Sequence, residues 1–389
     1  MGQRTCQAGL AILICLFLAA CSPWRLIESA ALITDLVVPS SGDPGVDRNE
    51  VSYTVDDQNW IGDLYRPPRA KAGLVIVPGA TPQGRDDPRL VAFATALAQN
   101  GFAILVPEIQ GLRALRVAPE DVEPIVAAIR QLSDNRPEPT PVGIVGISYA
   151  AGPALLAALS PETRGRVAFS AALGGYFDLE AVITFFITGA FRDVAHAEWQ
   201  QGTAHPRAVW EFVLANADRI DDPRDATTLA AMAMRRRADP AAPIDDLVAA
   251  LGPSGQPVHA LLANRDPDRV PGHIAQLPPR LRGAIYALDL KRRADLAAFP
   301  APILIVHGQD DPVIPVSESN ALAKAIGPER ACLVRPAQLA HVDLGLASIV
   351  DIVGLWRGAY WLLAARDRMI APSFSGFRYR REPGGSGSD

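Results

Sequence analysis

The feature that most constrains the fold is an apolar run that passes through a turn of small residues into a second apolar run. The first run begins at Val142 and leads to Ser148, and the second spans 153–159. This pattern predicts a strand buried on both faces, followed by a packed helix. Ser148 lies at the apex of the turn. Gly146 and Ala150, two residues to either side, carry almost no side chain, because so sharp a turn leaves no room for one.

The rest of the chain alternates between runs of strand length and stretches of helix length. The first two strands, 51–55 and 60–65, are expected to form a hairpin with a turn at 56–59. Five later strands are expected at 73–77, 102–106, 166–173, 302–307 and 331–335. Helices are expected from Pro88 to the stop at Asn100-Gly101, over 122–129, at 317–326 and at 344–366. Unalternating strands separated by helices predict an α/β fold, with a mainly parallel sheet covered by helices on both faces. Ligands bind such sheets beyond the carboxyl ends of the strands, where Ser148 lies.

One long segment, 178–299, interrupts this alternation. It is rich in helical patterns and proline, and a structureless loop of that length is implausible in a compact domain. We predict a helical cap over the sheet edge that carries Ser148, although an insertion packed on a flank would have the same pattern. The predicted core comprises 51–177 and 300–370. The polar tail 371–389 ends in Gly and Ser and is predicted to be disordered.

The first residues have the pattern of a targeting segment. A positive charge at Arg4 precedes an apolar run that is too short to span a bilayer, since a spanning helix needs about 20 residues. The run ends in Leu-Ala-Ala-Cys at 18–21, which resembles the lipobox of bacterial lipoproteins. The resemblance implies a signal peptide over 1–20 and a lipid on Cys21. It places the chain at the cell envelope, on the outer membrane or its periplasmic face. The alternative is an ordinary signal peptide.

Composition narrows the remaining possibilities. Residues 21–50 are rich in Ser, Pro, Gly and Asp and are predicted to be a linker that tethers the domain to the membrane. A chain cut before Cys21 and lipidated there keeps one thiol, Cys332, so neither an intramolecular disulfide nor a zinc site is expected. The formal net charge of −5 gives no electrostatic reason to expect nucleic acid as a partner.

Two motifs point to one family. The segment Gly-Ile-Ser-Tyr-Ala at 146–150 resembles the G-x-S-x-G nucleophile turn of the α/β-hydrolases, with alanine at the last position. The segment 307–315, His-Gly-Gln-Asp-Asp-Pro-Val-Ile-Pro, resembles the acid loop of the same family. The resemblance implies the α/β-hydrolase fold, with Ser148 as the nucleophile. A serine that only caps a helix after a core strand is the alternative.

The resemblance also supplies partners for this serine. It implies Asp311 as the acid, with Asp310 and Asp178 as alternatives. His341 is the only histidine after His307, and it follows the last strand, where the family carries its base. A serine hydroxyl needs a base to accept its proton, and the base needs a carboxylate to orient it. His307 is expected to brace the acid loop.

Two backbone N–H groups are expected to bind the oxyanion, those of Tyr149 and Ala80, although a plain turn at a strand end would also explain the sequence around Ala80. We therefore predict a serine hydrolase that cleaves a small carboxylic ester through an acyl-enzyme, without a cofactor or metal. A peptidase, a thioesterase and an acyltransferase of the same fold remain alternatives. So does a non-catalytic envelope binding protein. A dinucleotide-binding enzyme fits poorly, because the glycines at 143, 146 and 152 lack the G-x-G-x-x-G spacing.

Overall fold

The computed structural model describes residues 23–37, 45–135, 140–193, 198–205, 207–337, 339–340, 343–344 and 349–367. Four of the predictions fall outside these residues: the signal peptide 1–20, the lipidation site Cys21, the base His341 and the tail 371–389.

The main sheet has eight strands: β1 (Asp47–Val55), β2 (Gln58–Arg66), β3 (Ala72–Val77), β4 (Phe102–Pro107), β5 (Val142–Ile147), β6 (Val167–Leu173), β7 (Ile303–Val306) and β8 (Ala331–Val334). The α-helices longer than one turn are α1 (Pro23–Val37), α2 (Pro88–Gln99), α3 (Val122–Asp134), α4 (Ala151–Leu159), α5 (Leu179–Thr188), α6 (Ala208–Asn216), α7 (Pro223–Ala238), α8 (Gln256–Ala263), α9 (Val270–Ala275), α10 (Pro279–Leu288), α11 (Ser317–Ile326) and α12 (Ile349–Arg366). Single α-turns are formed by Gln110–Arg113 and Asp245–Val248. Short 3-10 helices are formed by Gly84–Asp86, Pro119–Asp121, Ser148–Ala150, Ala217–Arg219, Pro267–Arg269, Leu290–Arg292 and Ala294–Ala298. Two small hairpins pair Ala190–Phe191 with Gln200–Gln201 and Leu339–Ala340 with Asp343–Leu344.

The strand order in the main sheet is β1-β2-β4-β3-β5-β6-β7-β8. The pairs β1–β2 and β2–β4 are antiparallel, and every other pair is parallel. Successive residues of β3 pack on opposite faces: Val75 and Val77 lie in a cluster with α3 and α4, and Leu74 and Ile76 in one with α1, α2 and α12. Helices cover both faces, which confirms the predicted α/β architecture.

The opening hairpin is tighter than predicted. Val55 pairs with Gln58, so the turn contains two residues, Asp56 and Asp57, rather than the four of 56–59. Both aspartates have positive φ, at 51° and 62°. Two consecutive left-handed residues make a type I′ turn, whose twist matches that of the flanking strands, and a short polar side chain tolerates this conformation.

The prediction of a linker over 21–50 is wrong for most of its length. Residues 23–37 form the 15-residue helix α1, and β1 begins at Asp47. The buried side chain of Leu32 packs with α2 and α12. Arg366 of α12 donates to Glu28 of α1 at 2.7 Å. The Pro, Ser and Gly residues behind the linker prediction cluster at 39–45, beyond the end of α1.

The last helix begins at Ile349, later than the predicted start at 344, and residues 343–344 belong to a small hairpin instead. Asp351 in its first turn accepts a hydrogen bond from the backbone N–H of Ala337 at 2.6 Å, which joins the helix to the chain beyond β8. Among the residues described here, no helix combines the length and the apolar character needed to cross a membrane.

The insertion between β6 and β7 forms α5 to α10, together with short helical turns. Its two ends lie side by side. The hydroxyl of Tyr176 donates to the backbone oxygen of Leu288 at 2.9 Å, and the N–H of Lys291 donates to the oxygen of Phe177 at 3.0 Å. The insertion therefore leaves the core and returns to it at one place. We call residues 178–299 the cap.

Candidate active site

Ser148 is the first residue after β5 and begins the 3-10 turn that leads into α4. Its φ is +55°, in the left-handed region. A non-glycine residue in this region costs about 1–3 kcal/mol and persists only where the surrounding structure fixes it. This is the strained strand-to-helix turn that the sequence predicts.

The small residues around Ser148 are required by packing. A Cβ atom on Gly146 would lie 2.5 Å from the Cα of Ala151 and 2.8 Å from the Cβ of Ala154. A Cβ on Gly175 would lie 2.4 Å from the Cβ of Ala151. Ala150 has right-handed helical backbone angles, with φ −68° and ψ −10°. Alanine is therefore accommodated where the family motif has glycine.

The ends of three neighbouring strands are level with one another. Ile147 of β5 pairs with Leu173 of β6, which pairs with Val306 of β7. The residues that follow, Ser148 and His307, therefore leave the sheet in the same layer. Because adjacent strands lie about 4.8 Å apart, β5 and β7 are separated by roughly 10 Å. The predicted nucleophile and acid loop thus project from one edge of the sheet.

The carboxylate of Asp311 is buried and held in place by backbone groups. Its Oδ1 accepts hydrogen bonds from the N–H groups of Val313 at 2.8 Å and Ile314 at 3.0 Å. Its Oδ2 lies 3.4 Å from Nε2 of His307. Asp310, the neighbouring alternative, is exposed. A fixed, buried carboxylate suits the orienting role far better than an exposed one, which favours Asp311.

His307 braces the acid loop from beneath. The ring is fully buried, and its Nε2 donates to the backbone oxygen of Ile314 at 2.8 Å. Its Nδ1 lies 2.6 Å from the hydroxyl of Ser319 in α11. A neutral ring that donates through Nε2 accepts from this hydroxyl through Nδ1. The residue joins the acid loop to the first turn of α11.

Asp178, the other alternative acid, has a different role. Its Oδ1 accepts from the N–H of Ala181 at 3.1 Å and caps α5. Its Oδ2 accepts from Nζ of Lys291 at 2.6 Å. Since Lys291 lies where the chain returns from the cap, Asp178 holds the two ends of the cap together.

The predicted oxyanion residues lie beside Ser148. Val77 pairs with Gly146, so the chain after β3 runs next to the nucleophile turn. A Cβ on Gly79 would lie 3.6 Å from the backbone oxygen of Ile147 and 3.8 Å from the Cβ of Ser148. Ala80 and Ser148 line the same cavities, and Tyr149 follows Ser148 in the 3-10 turn. The donor roles of the two N–H groups stay predictions.

Ser148 borders two cavities. One, of about 390 Å³, lies between the core and the cap, and the side chains of Tyr149 and Phe212 form part of its wall. The other, of about 540 Å³, is lined by residues of α1, α2 and α12 and by the sheet. The serine thus lies where apolar space is accessible on both sides of the sheet edge.

A buried acid that no sequence motif indicates, Glu318, lies in the first turn of α11. Its Oε2 accepts from the N–H groups of Phe177 at 3.0 Å and Asp178 at 2.7 Å, where the chain enters the cap. Burial, together with the charges of Asp178 and Asp289, raises the pKa of Glu318 to about 8. A glutamate near the start of a helix is common, because the helix dipole stabilises its negative charge. Nothing local in the sequence therefore marks this contact, which spans 140 residues.

No protein-family profile and no curated protein match the sequence. Solved structures do match. An acylaminoacyl peptidase in complex with a chloromethyl ketone is 13% identical at a TM-score of 0.47, and the match covers 82% of this chain and 40% of the peptidase. This chain therefore spans less than half of that protein.

Two esterases match over most of their length. Carboxyl esterase 2 from the fungus Tuber melanosporum is 16% identical at a TM-score of 0.47, and the match covers 84% of this chain and 89% of the esterase. Brefeldin A esterase, a bacterial homologue of human hormone-sensitive lipase, is 16% identical at a TM-score of 0.46. The match covers 90% of this chain and 87% of that esterase. At these identities the similarity concerns the fold alone. The eight-stranded sheet with the nucleophile turn after β5 is the α/β-hydrolase fold that the sequence predicts.

Proposed function

We propose that this protein is a serine hydrolase that cleaves carboxylic esters through an acyl-enzyme. The observation that carries the proposal is the strained left-handed backbone of Ser148 at the strand edge from which the fixed carboxylate of Asp311 also projects. A strained serine and a buried carboxylate each lower stability. Their presence at one edge is explained by a reaction that uses both.

In the proposed reaction His341 accepts the proton of Ser148 while the serine oxygen bonds to the ester carbonyl carbon. The N–H groups of Tyr149 and Ala80 stabilise the negative charge on the carbonyl oxygen. The C–O bond to the alcohol then breaks, and His341 returns the proton to the leaving oxygen. Water repeats the sequence on the acyl-enzyme and releases the acid. Asp311 orients His341 and stabilises its charged form.

A labelling experiment tests this function. Wild-type protein is expected to react with a fluorophosphonate probe and to hydrolyse p-nitrophenyl butyrate, and Ser148→Ala is expected to do neither. Ser52→Ala is the matched control, because Ser52 is exposed on β1 at the far edge of the sheet. Undiminished labelling of Ser148→Ala would refute the assignment. So would wild-type protein that neither reacts nor hydrolyses any ester.

We also propose that a lipid on Cys21 holds the domain against an envelope membrane. The exposed side chains of Trp24 (68%) and Ile27 (60%) on α1 support this proposal, because they lie within six residues of Cys21 in the sequence. On α12, Ile352 and Val353 are also exposed. Tryptophan and aliphatic side chains favour the interface of a bilayer.

The two helices that carry these exposed pairs are in contact. Trp356 lies one helical turn beyond Ile352 and Val353, and its Nε1 donates to the backbone oxygen of Leu26 at 3.3 Å.

Expression in a bacterium with labelled palmitate tests the anchor. Cys21→Ser is expected to lose the label and leave the membrane fraction, whereas the control Cys15→Ser keeps both. A labelled Cys21→Ser variant would contradict the proposal.

A further inference from the structure

One cavity beside Ser148 lies between the core and the cap, and its lining residues indicate which part of a substrate it binds. Ser148 and Ala80 border it on the core side. On the cap side its wall includes Leu229, Val258 and Leu261, all buried. Ser148 thus borders a largely aliphatic space that the cap covers on one side.

Three polar side chains on the cavity wall, Asn216, Glu211 and Tyr176, are hydrogen-bonded to other parts of the protein. The side chain of Asn216 donates to the backbone oxygen of Phe212 at 2.8 Å and accepts from the N–H of Val117 at 2.8 Å. Glu211 accepts from Arg237 at 2.6 Å. His205 and Tyr149 also lie on the wall, but most of the lining side chains are aliphatic or aromatic, so the wall favours an apolar occupant over a charged one.

A row of aromatic rings leads from the nucleophile turn into the cap. The ring of Tyr149 stacks on Tyr176, with centroids 5.8 Å apart, and lies 6.0 Å from the ring of Phe212. Phe212 stacks on Phe186 at 5.8 Å. All four rings line the cavity. They form a continuous apolar wall, along which an unbranched chain attached at Ser148 can lie.

We propose that this cavity binds the acyl chain, and that the substrates are esters of unbranched fatty acids of medium length. This inference rests on the proposed function, since it assigns the acyl group of the acyl-enzyme to one side of Ser148. The cavity volume is about 390 Å³. If a methylene group takes roughly the 30 Å³ of a water molecule, this volume corresponds to about thirteen such groups, so a chain of about ten to twelve carbons fits within it.

A series of p-nitrophenyl esters from acetate to palmitate tests the chain length. The value of kcat/KM is expected to rise roughly fourfold for each methylene group that is buried, to peak near decanoate or dodecanoate, and to fall for longer chains. A maximum at acetate would overturn the inference. So would a rise that continues to palmitate, because the cavity could not contain that chain.

Substitutions on the cap side test the location. Leu261→Trp fills the cavity and is expected to lower the ratio of decanoate to acetate kcat/KM by at least tenfold. Leu261→Ala enlarges the cavity and is expected to move the optimum to longer chains, which keeps the test decisive if the tryptophan variant does not fold. Met234→Trp is the control, because Met234 is exposed on α7 of the cap. Variants at Leu261 that keep the wild-type profile would overturn the location.

Binding of decanoate separates this inference from the proposed function. Wild-type protein is expected to bind decanoate saturably in a calorimetric titration, and Leu261→Trp is expected to bind it at least tenfold more weakly. If esters are hydrolysed with no dependence on chain length, the acyl site is wrong and the hydrolase assignment stands. If decanoate binds but no ester is cleaved and no probe reacts, the hydrolase assignment is wrong. Absence of decanoate binding refutes the acyl site in either case.

Discussion

Replacement of Glu318 by glutamine is expected to change how the stability of the protein depends on pH. In the folded protein, burial raises the pKa of Glu318 from its ordinary 4.5 to about 8. Between these values the folded state keeps a proton that the unfolded state has lost. The stabilisation is therefore complete below pH 4.5 and is lost as pH rises through about 8.

The magnitude follows from this shift. One proton that is bound only by the folded state changes the free energy of unfolding by about 1.4 kcal/mol per pH unit. Because the slope is smaller near each of the two pKa values, the wild-type protein is expected to lose roughly 3–4 kcal/mol through Glu318 from pH 5 to pH 8. Glutamine is neutral throughout and keeps an oxygen for the N–H groups of Phe177 and Asp178, so Glu318→Gln is expected to lack this loss.

Urea denaturation at pH 5, 6, 7 and 8, followed by tryptophan fluorescence, measures the difference. Glu318→Gln is expected to be slightly less stable than wild type at pH 5 and more stable at pH 8. The buried carboxyl of Asp121, whose pKa burial raises to about 6, contributes equally to both proteins and cancels in the comparison. Asp289, whose pKa burial also raises to about 6, interacts with Glu318, so the measured difference includes this coupling. Glu329→Gln is the control, because Glu329 is exposed after α11. Parallel stability curves for wild type and Glu318→Gln would refute this account.

Three further substitutions give expected outcomes. Gly146→Ala brings a Cβ against the backbone of Ala151, and thermal unfolding should show a loss of about 1–3 kcal/mol. Asp311→Asn should lower kcat for p-nitrophenyl butyrate by about 10³ to 10⁴, while Asp310→Asn at the exposed neighbour changes it less than tenfold; equal effects would contradict the acid assignment. Leu32→Ala should cost about 2–5 kcal/mol in urea denaturation if α1 belongs to the core, and no measurable change would return it to the status of a linker.

Features fixed by neighbouring residues were predictable from the sequence. Helix α11 ends at Ile326 as predicted, because Gly327 has φ +100°, a conformation that suits glycine. Helix α2 begins at Pro88 after Asp87, whose side chain accepts from the N–H of Arg89, as the capping pattern indicates. The roles of Gly146 and Ser148 were predictable because both follow from the sharpness of the turn. It leaves no room for a side chain at Gly146 and places Ser148 in a strained backbone conformation.

Features fixed by distant partners were not predictable. Helix α1 is held by α12, through Arg366 and Glu28, 338 positions apart. Glu318 binds backbone groups at the start of the cap, and no periodicity near Glu318 indicates that contact. The proline and glycine residues between α1 and β1 account for the linker-like composition of 21–50. That composition did not reveal the helix that precedes them. In each case the partner is brought near only by the completed fold.

The adjacent ends of the cap have a consequence for how this protein can change. Phe177 and Lys291 share a backbone hydrogen bond, so a bridge of one or two residues would close the core if everything between them were removed. Insertions, deletions or wholesale exchange of that segment leave the order of the strands untouched. The sheet edge that carries Ser148 and the cavity beside the cap can therefore diverge independently in sequence.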